Sequence, residues 1–290
     1  MNNTKKSFKN KWEKNKVLAF ESTLNPNSEI NKWILNRNGF KNINDFKAFL
    51  SDKKRILDAG CGNGRVTALI SENSIFDSEI FGIDLVSQEV AKKNLEDYNN
   101  VSIIEKDLME DLSSLGQFDF IYCQEVLHHT TNPFLAFKNL TSLVAPKGEI
   151  AIYVYKKKAP TREFVDDFVR NKIKDLDYDE AIKVCEEITL LGKALYDLNL
   201  KIELPEVKVL DIKSGKYEIQ RFFYHFFMKC FWNKELSLND NVAINYDWYH
   251  PQNCTRHTEE EVKEWFKSVG FKINHIHVDF YGITAKGENS

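Results

Sequence analysis

Asp58, Gly60, Gly62, Gly64 and Asp84 have the types and spacing that suit a charged nucleoside ligand. The first four lie within Leu57-Asp-Ala-Gly-Cys-Gly-Asn-Gly64, and Asp84 closes Phe81-Gly-Ile-Asp84 about twenty residues later. An acid at a strand tip can accept hydrogen bonds from both hydroxyls of a ribose, and glycines let backbone approach a nucleoside closely. Asp58, just before the turn, would repel a pyrophosphate and suits a cation such as an ammonium or sulfonium. Arg65 stands where a dinucleotide fingerprint wants its third glycine, and no Gly-Lys-Ser/Thr follows, so a P-loop is excluded as well.

The elements that must position these residues read as alternating strands and helices. Residues 55–59 form a short apolar strand running into the glycine turn, and a helix opens at Arg65. Residues 81–84, 101–107, 118–124 and 149–155 read as four more strands. Asn132 and Pro133 are an N-cap and first helical residue. Such alternation implies a parallel sheet with helices on both faces. From 156 to about 245 the chain reads as helices and loops without that rhythm. It returns at Thr258, where Glu261 completes a capping box ahead of an apolar face of Val262, Trp265, Phe266 and Val269 that Gly270 stops. Residues 271–278 then alternate as a strand, and 282–286 would return antiparallel.

Taken in order, these motifs resemble those of class I S-adenosylmethionine-dependent methyltransferases, across roughly a hundred residues of regular α/β rhythm. The resemblance implies an α/β fold: a Rossmann-like, seven-stranded, mostly parallel sheet with a reversed C-terminal hairpin, N-terminal helices and a helical lid insertion. The corresponding divisions are an N-terminal helical cap (1–50), a cofactor-binding core (51–155), a lid or substrate insertion (156–245) and a closing helix and hairpin (246–290). It also implies S-adenosylmethionine as cofactor and S-adenosylhomocysteine as product. Gly60, Cys61, Gly62, Asn63 and Gly64 would hold the amino-acid half of the cofactor, with Asp58 serving its ammonium directly or through water. Asp84, with Leu85 beside it, would bind the ribose. Asp107 would face the adenine amine, Leu108 would pack on the ring, and Gln124 would close the site. The reaction would be an in-line displacement onto an O, N, S or C nucleophile of a small, anionic metabolite. Holding the atoms aligned is most of that catalysis, and a general base is needed only where the nucleophile must shed a proton. His128, His129, Tyr249 and His250 are the candidates.

Acceptor recognition is expected from Glu125, Arg221, Tyr224, His225, Asp247, Trp248 and Arg256. If residues 220–232 are helical, Arg221, His225 and Lys229 fall at i, i+4 and i+8, one basic stripe on an aromatic helix. The plain reading is a solvent-facing stripe. The sharper one is a pocket wall in which Arg221 holds a carboxylate or phosphate. Residues 245–258 form a second polar–aromatic cluster, similar to an Asp-x-x-x-Pro…His-Thr segment of a largely uncharacterised small-molecule subgroup of the family. Its plain reading is a loop anchored by Trp248 and Tyr249. His275 and His277 share one face of a late strand and read as strand surface, with no metal.

Near the N-terminus, residues 5–16 are basic with two aromatics, an arm that docks Phe8 and Trp12 or contacts a polyanion. Family resemblance adds that residues 18–40 could cover the cofactor. A net charge of −3 gives no support for tight binding to bulk nucleic acid. Five cysteines without paired spacing suggest neither zinc nor a disulfide framework and, with no leader or membrane-spanning run, point to the cytoplasm and to no membrane partner. A homo-oligomer is left open. Two other readings stand beside the small-molecule enzyme. One is a methyltransferase for RNA, DNA or protein, against which Gln124-Glu125 occupies the place of an Asn/Asp-Pro-Pro-aromatic motif. The other is a non-catalytic cofactor-fold subunit scaffolding a partner enzyme.

Overall fold

The computed structural model describes residues 3–289. In chain order it runs α1 (Asn3–Lys14), α2 (Phe20–Leu24), α3 (Glu29–Arg37), α4 (Ile43–Leu50), β1 (Arg55–Ala59), α5 (Arg65–Asn73), β2 (Glu79–Asp84), α6 (Gln88–Asn94), β3 (Val101–Glu105), β4 (Phe118–Gln124), α7 (Pro133–Thr141) and β5 (Val144–Tyr155). It continues with α8 (Pro160–Ile173), α9 (Tyr178–Asp197), β6 (Lys201–Leu204), β7 (Gly215–Glu218), α10 (Ile219–Phe226), α11 (Leu238–Tyr249), α12 (Glu259–Ser268), β8 (Phe271–Val278) and β9 (Gly282–Asn289).

The described residues divide into two compact units: 12–156 with 255–289, and 3–11 with 157–254. The larger unit holds a seven-stranded sheet in the order β3-β2-β1-β4-β5-β9-β8. Its first five strands are parallel, and β9 runs antiparallel to both β5 and β8. Successive side chains of a strand point to opposite faces, and here both faces are covered. Ile56, Phe120 and Tyr122 face α3 and α4 residues such as Ile34, Phe46 and Leu50. Leu57, Ile121 and Cys123 face Phe137 of α7 and Val262 and Phe266 of α12. That double cover is why β1 and β4 read as nearly continuous apolar runs. The strand order reverses between β1 and β4, the place where ligands of open α/β sheets bind.

The Thr258–Glu261 capping box forms, and Val262 and Phe266 are fully buried. Asn132 caps α7 through the Leu135 amide, with Pro133 at its first turn.

In the smaller unit α8 to α11 pack with the β6–β7 hairpin, an element that the reading of helices and loops did not include. Only alternate residues of these four-residue strands are half-buried, too short a period-two signal to register. The basic stripe also differs. α10 ends at Phe226, so Lys229 lies beyond it. Its amide leaves the helical ladder for Asp166 Oδ1 at 2.8 Å, and the Phe231 amide donates to Asn245 Oδ1 at 2.9 Å. The end of this unit falls at Cys254 rather than near 245, because α11 runs unbroken from Leu238 to Tyr249 with Val242, Tyr246, Trp248 and Tyr249 buried. The expected N-terminal cap is likewise shared: residues 3–11 belong to this unit and α2 to α4 to the larger one.

Candidate cofactor site and active site

The turn after β1 is built on left-handed backbone that only glycine adopts without strain. Gly60 has φ +81°, and its amide and that of Cys61 donate to the Ile83 carbonyl at the tip of β2. A Cβ on Gly60 would lie 2.3 Å from Val126 Cγ2, so the loops after β1 and β4 meet with no room between them. Gly62 has φ +57°, and a Cβ there would lie 2.7 Å from Trp12 Cζ2. Trp12 thus docks on the glycine turn itself. The following segment is tied to it: Asn63 Nδ2 donates to the Lys16 and Leu18 carbonyls, and Asn94 Nδ2 also donates to Lys16. Cys61 is buried.

Asp84 stands at the tip of β2. Its Oδ2 accepts the Gly62 amide at 3.0 Å, and its Oδ1 accepts the Val86 and Ser87 amides at 2.9 and 3.0 Å. The acid and the glycine turn therefore form one hydrogen-bonded unit, with Leu85 half-buried beside them. Asp58 is 3 % exposed and accepts Thr67 Oγ1 at 2.6 Å. Burial pushes its carboxyl up to about 7 against the hydrogen bond from Thr67, and Asp84 adds to the rise. A ligand cation would favour its ionised form. Asp107 caps its own turn by accepting the Met109 amide, while Leu108 is buried in the core. These residues fit a ligand with a ribose and an ammonium: a strand-tip carboxylate, a buried acid beside the turn, and backbone that lacks Cβ atoms.

At the tip of β4 Gln124 donates to Asn38 Oδ1 at 3.2 Å, and Glu125 adopts φ +64°. Glu125 lies 3.5 Å from Arg37 Nη1 and 3.8 Å from Arg65 Nη2. Arg37 is 3 % exposed, with its guanidinium 3.7 Å from the Trp33 ring and 4.6 Å from Tyr153. It is a residue that motif reading missed. The only local trace is Trp33 four positions ahead on the same helix, a spacing that stacks ring on cation. His128 and His129 occupy a 3-10 turn after β4. The His128 ring is fully buried 3.7 Å from that of Tyr155, and His129 is 9 % exposed. Residues 255–257 lie beside them: the Thr255 amide donates to the His128 carbonyl and His257 to Tyr155, which places half-buried Arg256 at the end of β5.

The remaining expected site residues lie in the smaller unit, and two change role. The Tyr249 hydroxyl, fully buried, is 2.7 Å from Asp166 Oδ1 and 2.9 Å from the Lys229 carbonyl. His250 has Nδ1 2.7 Å from Ser7 Oγ and Nε2 3.0 Å from the Leu176 carbonyl, and burial lowers its pKa. With both ring nitrogens engaged, His250 has no atom left to take a proton from a substrate, and Tyr249 is a packing hydroxyl. Trp248 is 2 % exposed and donates Nε1 to Asp166 at 2.8 Å, while Asp247 pairs with Lys11. Tyr224, 4 % exposed, has the guanidinium groups of Arg162 and Arg221 4.6 and 5.7 Å from its ring. His275 Nε2 donates to the Arg37 carbonyl, and His277 stands 3.6 Å from Asp279.

Comparison with known proteins agrees with this geometry. A family profile described as "Methyltransferase domain" matches residues 50–223, more than half of the chain. A ubiquinone biosynthesis O-methyltransferase from Dechloromonas aromatica is 35% identical over 106 residues, 33% of this chain and 42% of that protein. Its namesake from Neisseria meningitidis serogroup C is 28% identical over 133 residues, 41% of this chain and 55% of that one. The chain thus spans about half or less of the length of these curated relatives. A SAM-dependent methyltransferase from Aquifex aeolicus superposes with a TM-score of 0.50 at 13% identity, covering 97% of this chain and 98% of that one. Glycine turn, strand-tip acid, reversed hairpin and family profile coincide: this chain belongs to the methyltransferase-domain family and has the fold of the S-adenosylmethionine-dependent enzymes.

Proposed function

We propose that the protein transfers a methyl group from S-adenosylmethionine to an oxygen of a small metabolite by in-line displacement. The observation that carries this reading is the coupling of Asp84 to the Gly62 amide at the switch point of the sheet. Bound S-adenosylmethionine supplies a methyl already activated on a sulfonium. Asp84 would hold the ribose hydroxyls, Asp107 and Leu108 the adenine, and Gly60 to Gly64 the amino-acid end, with Asp58 answering its ammonium. Trp12, seated on the glycine turn, and the segment tied to Asn63 would keep water from that end. Oxygen is the nucleophile favoured by the names of the curated relatives. A hydroxyl acceptor needs a base, and His129 is our choice: it stands in the turn that follows β4, whereas Tyr249 and His250 are committed to other partners. Glu125, fixed between Arg37 and Arg65, would orient the acceptor.

Calorimetric titration with S-adenosylmethionine, S-adenosylhomocysteine and NAD in parallel tests the core of this reading. Micromolar binding of the two sulfur compounds and none of NAD is expected; the reverse would overturn it. We place the protein in the cytoplasm and without a nucleic-acid partner. Its net charge is −3, its cysteines carry free thiols, and no helix among the described residues is long and apolar enough to cross a membrane.

A further inference from the structure

The smaller unit concentrates positive charge around two aromatic rings. Arg162, Lys158, Lys229 and Arg170 place their charged groups 5.3, 5.5, 5.2 and 5.4 Å from the Trp248 ring. Arg162 also lies 4.6 Å from the Tyr224 ring, and Arg221 5.7 Å from the same ring. Three of these cations are deeply buried: Arg162 at 1 %, Lys229 at 6 % and Arg170 at 7 % exposure.

Carboxylates answer only part of this charge. Asp166 accepts Arg162 Nε, Trp248 Nε1, the Lys229 amide and the Tyr249 hydroxyl, which fills the acceptor positions of a carboxylate. Arg170 pairs with Asp167 and Lys11 with Asp247. The second oxygen of Asp247, Oδ1, is buried with no hydrogen bond, so Asp247 acts on the Lys229 ammonium through space and not through a hydrogen bond. Among the described residues neither Lys229 nor Arg221 forms an ion pair; Arg221 Nη2 donates to the Trp232 carbonyl at 3.4 Å, and its Nη1 is buried without a hydrogen-bond acceptor. Two neighbours register the resulting field. Burial, then Arg162, pulls Lys229 down to about 8 against the opposing pull of Asp247, Cys254 and Asp166; burial, then Arg162, Arg221 and Lys158, pulls His225 down to about 3. Buried charges in proteins are otherwise paired.

We infer that Arg162, Arg221 and Lys229 form an anion site in the smaller unit that takes the carboxylate or phosphate group of a small metabolite. The guanidinium groups supply planar forks suited to a two-oxygen anion, and the ammonium a compact charge. Tyr224 and Trp248 give the organic part of such a molecule an aromatic setting.

The test uses the full chain, saturated with S-adenosylhomocysteine, at constant ionic strength and with chloride as the reference anion. Inorganic phosphate and benzoate are titrated by calorimetry, with benzamide as the uncharged control; the two anion arms separate a phosphate-bearing from a carboxylate-bearing ligand. Saturable binding of one anion, absent for benzamide and weakened at least tenfold in both Arg221→Gln and Lys229→Met, is the expected result. Thermal shifts alone would mislead, because phosphate stabilises proteins by exclusion from their surfaces. Wild-type protein that binds neither anion, or variants that bind as tightly as wild type, would overturn the site. Should Lys229→Met fail to fold, Arg221→Gln carries the test, its Tyr224 neighbour being left in place. Retained S-adenosylhomocysteine binding separates loss of the anion site from failure of the methyltransferase reading.

Discussion

Asp84 Oδ2 accepts the Gly62 amide at 3.0 Å, joining the acid at the tip of β2 to the turn after β1. The other oxygen takes the Val86 and Ser87 amides, so one carboxylate organises both loops before any ligand arrives. Its position is thereby set without reorganisation, which is how a binding site avoids an ordering cost.

Asp84→Ala is expected to weaken S-adenosylhomocysteine binding at least tenfold, since a hydrogen bond to a charged group is worth about 1.5–3 kcal/mol. Three loop amides also lose their acceptor, so a lower unfolding midpoint should accompany the change. Asp84→Asn keeps one oxygen and should recover part of the stability but little of the affinity. Calorimetry on both variants checks this, and unchanged affinity would sink the ribose assignment.

Gly60→Ala should be more damaging than its size suggests. The new methyl would meet Val126 Cγ2 at 2.3 Å while the backbone stays at φ +81°. Overpacking of this kind typically costs about 1–3 kcal/mol, before the left-handed strain is added. Urea unfolding should show that loss. Pairing it with Val126→Ala should restore part of the stability, as the clash is with that side chain.

Local spacing made the turn after β1 and the acid it bonds legible. The glycine turn, Asp84 and the α12 capping box are each written within a few contiguous residues. Roles set across the chain were not. Lys229 reads as one more helical turn until Asp166, 63 residues earlier, claims its amide. His250 reads as a free imidazole until Ser7, 243 residues away, meets Nδ1. Tyr249 reads as a catalytic phenol until Asp166 takes its hydroxyl. Arg37 has no motif of its own, because its partners Tyr153 and Glu125 arrive from β5 and from the turn after β4. Periodicity reports which face is buried, and it is silent on what a buried polar group will meet.

Asp166 is the polar centre of the smaller unit, so its removal should be severe. Asp166→Ala would leave Arg162 without its carboxylate at 1 % exposure and the Trp248, Tyr249 and Lys229 donors unmet. Breaking one side of a buried ion pair typically costs about 3–5 kcal/mol. Chemical denaturation should show that loss in the helical unit, and Asp166→Asn should fall between the two proteins. A loss below about 1 kcal/mol would mean that Arg162 is answered by another group.

His225 supplies a pH test. Its folded value is down to about 3 against an ordinary 6.5, chiefly through burial and then Arg162, Arg221 and Lys158. Below pH 6.5 the unfolded chain takes up a proton that the folded chain refuses, so stability from this group falls as the medium is acidified. At pH 5 the difference of about 1.5 pH units corresponds to about 2 kcal/mol. Asp58 works in the opposite direction: with its folded value up to about 7, its protonated form adds stability as pH falls below 7. A wild-type profile therefore mixes two slopes of opposite sign. Lys229, at about 8, contributes mainly above that window, and His250, also lowered by burial, adds to the acid-side loss. Comparing wild type with His225→Asn cancels the shared terms. From pH 7.5 to 5 the variant should gain about 1–2 kcal/mol relative to wild type in urea unfolding. Parallel profiles would mean that the imidazole titrates near its ordinary value, and that the positive field around Arg162 and Arg221 is neutralised in solution.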